Sequence, residues 1–86
     1  MNKIEMYLFI KFKNPTIPLE NVCEEYFGFS KGTAKQKAKS QTLPIPAFRL
    51  GNSQKSPWLV SLTDLAGFID LNHNLAKAQW GDFIEK

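Results

Sequence analysis

Four lysines fall within nine residues, Lys31, Lys35, Lys37 and Lys39, interleaved with Gly32, Thr33, Ala34, Gln36 and Ala38 and followed by Ser40. Ammonium groups at that density suit one kind of chemistry: neutralising phosphates and releasing the counterions condensed on a polyanion. Between them, Thr33, Gln36 and Ser40 are short polar groups able to meet base edges, and a Gln amide pairs with N6 and N7 of one adenine. A second cluster, Arg49, Asn52, Ser53, Gln54, Lys55 and Ser56, adds hydroxyls, amides and cations on a turn-forming stretch. The first cluster is expected to bind DNA from a recognition helix and the second from a loop that touches phosphates or the minor groove. For any one lysine the competing reading is an ordinary solvated surface group.

Charge distribution sharpens this expectation. No Asp or Glu occurs between Glu25 and Asp64, and that window holds Lys31, Lys35, Lys37, Lys39, Arg49 and Lys55, so it carries +6 while the rest carries −3 of the +3 total. A basic centre between acidic ends gives the molecule one positive side, which attracts phosphate polyanions.

Other chemistries lack their residues. His73 is the only histidine, flanked by Asn72 and Asn74 with no serine or cysteine motif nearby. Glu24 and Glu25 are adjacent, and adjacent helix residues point apart, so they suit a solvated helix side better than an acid and base pair. There is no Gly-rich phosphate loop, and no catalytic residue, cofactor or metal is expected. The single cysteine, Cys23, cannot form an internal disulfide and fits a reducing compartment. The apolar run from Ile4 to Ile10 is far shorter than the ~20 residues of a membrane span and has no cleavage site after it. The expected location is the cytoplasm, at the nucleoid, with no membrane contact.

The elements that must position these groups can be read from spacing. Length predicts one domain over 1–86 with one modest core. Residues 1–14 form an N-terminal helix or arm: Ile4, Met6, Leu8, Ile10 and Phe12 alternate as in a strand, but Ile4, Tyr7, Leu8 and Phe12 share a helical face, and helix is favoured. Asn14-Pro15 ends it. Residues 16–41 read as a helix-turn-helix. Leu19, Val22, Cys23, Tyr26 and Phe27 recur at helical spacing after Pro18, Glu20 complements the first-turn dipole, and Gly28-Phe29-Ser30 is a tight turn with Ser30 as the next N-cap. In the second helix Ala34, Ala38 and Gln41 share an inner side, opposite Thr33, Gln36 and Ser40. Leu43-Pro44-Ile45-Pro46 stops it. Residues 47–61 form a hairpin, with strands Ala47–Leu50 and Trp58–Ser61 around a Gly51–Pro57 turn. Residues 62–80 form a last helix, capped through Ser61 and Asp64, with a stripe of Leu62, Leu65, Ala66, Phe68, Ile69 and Leu75.

In order and spacing, several pieces resemble the pyocin activator (PrtN) family: Thr16-Ile17-Pro18-Leu19, Val22-Cys23, Tyr26-Phe27, Leu43-Pro44-Ile45, Ser53-Gln54-Lys55-Ser56, Asp64-Leu65-Ala66 and Ile69-Asp70. This resemblance spans roughly Thr16 to Asp70. It implies a mainly α fold with a small β-hairpin, a winged helix-turn-helix of the excisionase or MerR-like kind, in a phage-derived transcriptional activator of bacteriocin or prophage genes with RNA polymerase as a further partner. Residues 31–37 follow the family pattern least well, so operator sequence does not transfer. Two rival functions use the same residues: an architectural DNA-bending factor of the excisionase kind, and a phage-encoded protein-interaction or inhibitor module. Regulators of this size reach specificity on two half-sites, so double-stranded DNA and a second copy, as homodimer or cooperative oligomer, are the expected partners. The apolar N-terminal segment and the Trp80–Phe83 tail are the candidate contacts.

Overall fold

Asn14-Pro15 does end the first helix, and it does so by a defined turn. The computed structural model describes residues 3–51 and 55–84, with side chains described through Trp80. Helix α1 spans Lys3–Phe12, so the helical reading of this segment holds over the alternating one. Lys13 adopts a left-handed backbone with φ 57°, and the Asn14 side chain accepts from the Thr16 N–H at 3.1 Å. The chain is thereby turned back across the body.

It then enters a strand that periodicity did not predict. Thr16–Pro18 forms β1, antiparallel to β3 (Leu59–Ser61), with Ile17 opposite Val60. β2 (Ala47–Phe48) pairs with the other edge of β3, which puts Ala47 also opposite Val60 and gives the order β1, β3, β2. The expected hairpin is therefore present, but its first strand stops before Arg49 and Leu50, Trp58 lies just outside its second, and the sheet has three strands. Backbone bonds flanking the β1–β3 pair extend the register: Leu19 N–H donates to Trp58 C=O at 2.8 Å, and Leu62 N–H to Pro15 C=O at 2.8 Å.

The segment read as the first α-helix of the helix-turn-helix is a 3₁₀ turn, Leu19–Asn21, followed by a π-helical turn, Cys23–Phe27. Pro18 precedes it as the end of β1 rather than as a first helical residue. Spacing of three from Leu19 to Val22 suits the tight turn, whose Val22 N–H donates to Leu19 C=O at 3.1 Å. Gly28 closes the wide turn at φ 74°, a conformation an L side chain rarely adopts, and its N–H reaches Cys23 C=O. The apolar side chains still turn inward as the spacing requires, with Leu19, Val22 and Cys23 buried.

Helix α2 spans Lys31–Ser40. Its cap is the expected one: the Ser30 hydroxyl accepts from Thr33 N–H at 3.2 Å. Ala34 and Ala38 are buried, but Gln41, expected beside them, is exposed because the helix has already ended there in a left-handed residue at φ 58°. The connector Leu43-Pro44-Ile45-Pro46 then carries the chain to β2, anchored by buried Ile45 between exposed prolines. Helix α3 spans Leu62–Ile84, past the expected end at 80. Asp64 N–H reaches the Ser61 hydroxyl at 3.5 Å, a long version of the expected cap.

One core joins these pieces. Leu8 comes from α1, Ile17 and Val60 from the sheet, Ala34 and Ala38 from α2, Ile45 from the connector, and Leu62, Leu65 and Ala66 from α3. Phe27 meets Phe68 edge to face at 5.2 Å between ring centres. From Leu71 to Trp80 every α3 residue is exposed, including Leu75, which the apolar stripe had placed inside. The order is thus helix, strand, 3₁₀ and π-helical turns, helix, hairpin, helix: mainly α with a small three-stranded antiparallel sheet, consistent with a winged helix-turn-helix. No helix among the described residues is long and apolar enough to cross a membrane.

Candidate nucleic-acid interface

Positions 31, 35 and 39 repeat every four residues, so their side chains run as one stripe along a side of α2, roughly 60–140° around the axis from Ala34 at ~100° per residue. With Ala34 and Ala38 fixed in the core, this stripe is aimed at the hairpin. Lys31, Lys35 and Lys39 line an open groove of about 540 Å³ whose opposite wall is Arg49, Lys55, Ser56, Pro57 and Trp58, with Pro18, Leu19 and Glu20 at its base. Five cations separated by as much as 24 positions in sequence thus share one concave surface. Low-dielectric walls around like charges concentrate their field in the cleft.

Arg49 is stacked on an aromatic ring. Its guanidinium carbon stands 4.4 Å from the centre of the Trp58 ring, a cation–π stack that fixes a planar group with several donors at the groove wall. Arg49 Nε and Trp58 Nε1 are both buried with no hydrogen-bond partner among the described residues. Lys35 is paired within the groove: its ammonium lies 3.0 Å from Glu20 Oε1. The Lys35 hydrogen bond and charge, with a smaller contribution from Lys31, hold the Glu20 carboxyl below the usual carboxylate range.

The remaining recognition-helix residues lie elsewhere. Gln36 is exposed on the outward side of α2, next to the lysine stripe but not on the groove wall. Lys37 lies on the other flank, half-buried, with its ammonium 4.9 Å from the centre of the Phe29 ring, and it borders a shallower groove along the Leu43–Ala47 connector. Thr33 accepts from the Ser30 hydroxyl at 3.0 Å, so its oxygen takes part in the cap. The Ser40 hydroxyl bonds Lys37 C=O at 3.3 Å and shares a 2.8 Å bond with Thr42, closing the helix C-terminus. In the loop, Lys55 and Ser56 reach the groove, whereas Asn52, Ser53 and Gln54 lie outside the described residues.

Two groove residues carried no signal as such in the sequence. Glu20 was readable only as a first-turn acid, since nothing local links it to a lysine on another helix. Trp58 was readable only as a strand residue. Elsewhere, the Lys11 ammonium bonds Glu25 at 3.1 Å and the Tyr26 hydroxyl at 3.3 Å, which raises its pKa and ties α1 to the π-helical turn. Among the described residues no group of three or more His, Cys, Asp or Glu could hold a metal ion.

The family model described as "Pyocin activator protein PrtN" matches residues 6–76, a span that contains the whole groove. No curated protein and no solved structure matches the chain.

Proposed function

This chain belongs to the pyocin activator protein PrtN family, and we propose that it is a sequence-specific DNA-binding activator of bacteriocin or prophage genes. The family's description names an activator, so membership brings a regulatory role. DNA binding is supported above all by one observation: the Lys31, Lys35, Lys39 stripe faces Arg49 and Lys55 across a single groove. Helix α2 has no acid in its first turn and begins with Lys31, against the helix dipole. Its like charges at i, i+4 and i+8 also repel. A polyanion along that side relieves both costs.

In this mechanism the groove cations take phosphates and set orientation, while Gln36, on the adjoining outward side, reads a base edge in the major groove. The hairpin acts as the wing. The test is retention on duplex DNA between about 50 and 200 mM salt, where a protein using several phosphate contacts loses affinity by orders of magnitude. Binding to a protein that ignores salt, with none to DNA, would instead favour the inhibitor reading. Raised transcription from a bound promoter separates an activator from an excisionase-like factor, which would change excision by an integrase.

A second copy of the chain completes the reading. Helix α1 buries only Leu8 and leaves Met6, Tyr7, Phe9 and Ile10 46–66% exposed, while α3 exposes Leu71 and Leu75. A helix apolar on nearly all sides belongs against protein on nearly all sides. These six side chains expose on the order of 600 Å², close to the ~800 Å² per partner of a standard interface. Two-fold pairing through this surface would present two grooves to two half-sites.

A further inference from the structure

Among the described residues Glu20 is the one acid lining a groove that also holds five cations. We propose that Glu20 is a built-in competitor for the polyanion: its carboxylate occupies Lys35 in the free protein and must be displaced before Lys35 can neutralise a phosphate. This inference rests on the DNA-binding reading of the same groove.

Geometry carries it. The carboxylate oxygen lies 3.0 Å from the Lys35 ammonium, within reach of the bond a phosphate oxygen would make there. Glu20 is not on a loose loop. It projects from the 3₁₀ turn between buried Leu19 and buried Val22, and the Leu19 N–H is bonded to Trp58 C=O at 2.8 Å across the base of the groove. The carboxylate is therefore held where it opposes the lysine stripe.

Stability does not account for the pair. Both side chains are about half exposed, and ion pairs in that setting add little to folding. Their effect falls on the groove, where Lys35 is already engaged and a negative charge stands among the positive ones. An incoming backbone gains one ammonium contact less than the lysine count offers, whatever its sequence. Glu20 thus sets the salt concentration at which the protein leaves DNA, without touching a base.

The test compares the wild-type chain with Glu20→Gln, Lys35→Ala and the double variant on a random-sequence duplex from 50 to 200 mM salt. Gln keeps the shape of Glu and removes the charge. The expected result for Glu20→Gln is binding about threefold or more tighter at 50 mM and a salt slope steeper by about one. The gain should be clearly smaller in the Lys35→Ala background, where only the repulsion between carboxylate and phosphate is left to remove, as coupling between the two residues requires. Wild-type retention with an unchanged or weaker Glu20→Gln protein overturns the inference and makes Glu20 a group that merely orients Lys35. A gain that survives undiminished in Lys35→Ala also overturns it. Failure of the wild-type chain to bind duplex DNA at 50 mM overturns the DNA-binding reading itself, and the inference with it.

Discussion

Trp58 supports Arg49 and Leu19 at once: its ring lies 4.4 Å from the Arg49 guanidinium carbon, and its carbonyl accepts the Leu19 N–H at 2.8 Å. One residue therefore aligns the hairpin cation and anchors the turn that carries Glu20. Trp58→Phe keeps a stacking face and removes an N–H that has no partner among the described residues, so it should change stability by under about 1 kcal/mol and leave DNA affinity near wild type. Trp58→Ala removes the stack and part of the packing, with an expected loss of about 2 kcal/mol and weaker DNA binding. Thermal melting and salt-titrated binding read the two effects separately. Full DNA affinity in a folded Trp58→Ala protein would show that Arg49 needs no support.

The two flanks of α2 should behave differently. Lys35→Ala with Lys39→Ala removes two groove cations, one of them already held by Glu20, and should flatten the salt slope by about one for every DNA sequence. Lys37→Ala, on the far flank over Phe29, should leave that slope unchanged. Gln36→Ala should relax preference at one base pair at a discrimination cost of about 1–3 kcal/mol, with its salt slope intact. Equal effects from Lys37 and Lys39 would mean that the groove does not define the interface.

Two glycines predict opposite outcomes from the same replacement. A methyl group added at Gly28 or Gly32 meets nothing within 4 Å, so packing does not distinguish them. Gly28 sits at φ 74°, and Gly28→Ala should destabilise by about 1 kcal/mol or more. Gly32 lies in α2, and Gly32→Ala should stabilise by about 0.5–1 kcal/mol, or roughly 4–8 °C in Tm per kcal/mol. Melting curves check both. A stabilising Gly28→Ala would contradict the left-handed turn.

Self-association should depend on the exposed faces of α1 and α3. Sedimentation of the wild-type chain at micromolar concentration should show a dimer or larger species. Ile10→Asp, which places a charge on the outward face of α1 away from buried Leu8, should shift it to monomer with a fold retained by circular dichroism. A wild-type monomer at high concentration would remove the dimer from the proposed function.

What the sequence made legible was local. Ser30, Ala34, Ala38 and the lysines at 31, 35 and 39 lie within one short helix, where cap chemistry and a period of 3.6 fix their directions. The hairpin was legible because Pro44, Pro46 and the Gly51–Pro57 turn bracket two short apolar runs. Strand β1 was not, because three residues carry no periodicity and their pairing is decided by Val60, far along the chain. The Leu19–Phe27 pattern told which side chains turn inward but not the hydrogen-bond ladder, since 3₁₀ and π turns can serve similar spacings over so short a stretch. Gln41 and Leu75 were misplaced for a shared reason. Helical periodicity extrapolates an inward face past the point where the helix ends, or where the body it packs on ends. The Glu20–Lys35 pair was invisible because it depends on the angle between two helices.

Pro44 and Pro46 flank buried Ile45 in the connector between α2 and β2. Proline rings fix φ near −65°, and the Ile45 anchor leaves this segment little freedom to hinge. The connector therefore restricts how freely the hairpin can swing relative to α2. On the proposed DNA-binding function, a duplex would have to fit its own backbone spacing to the opening between them, and stretches that deform cheaply should be accommodated more readily than stiff ones, even at steps no side chain touches.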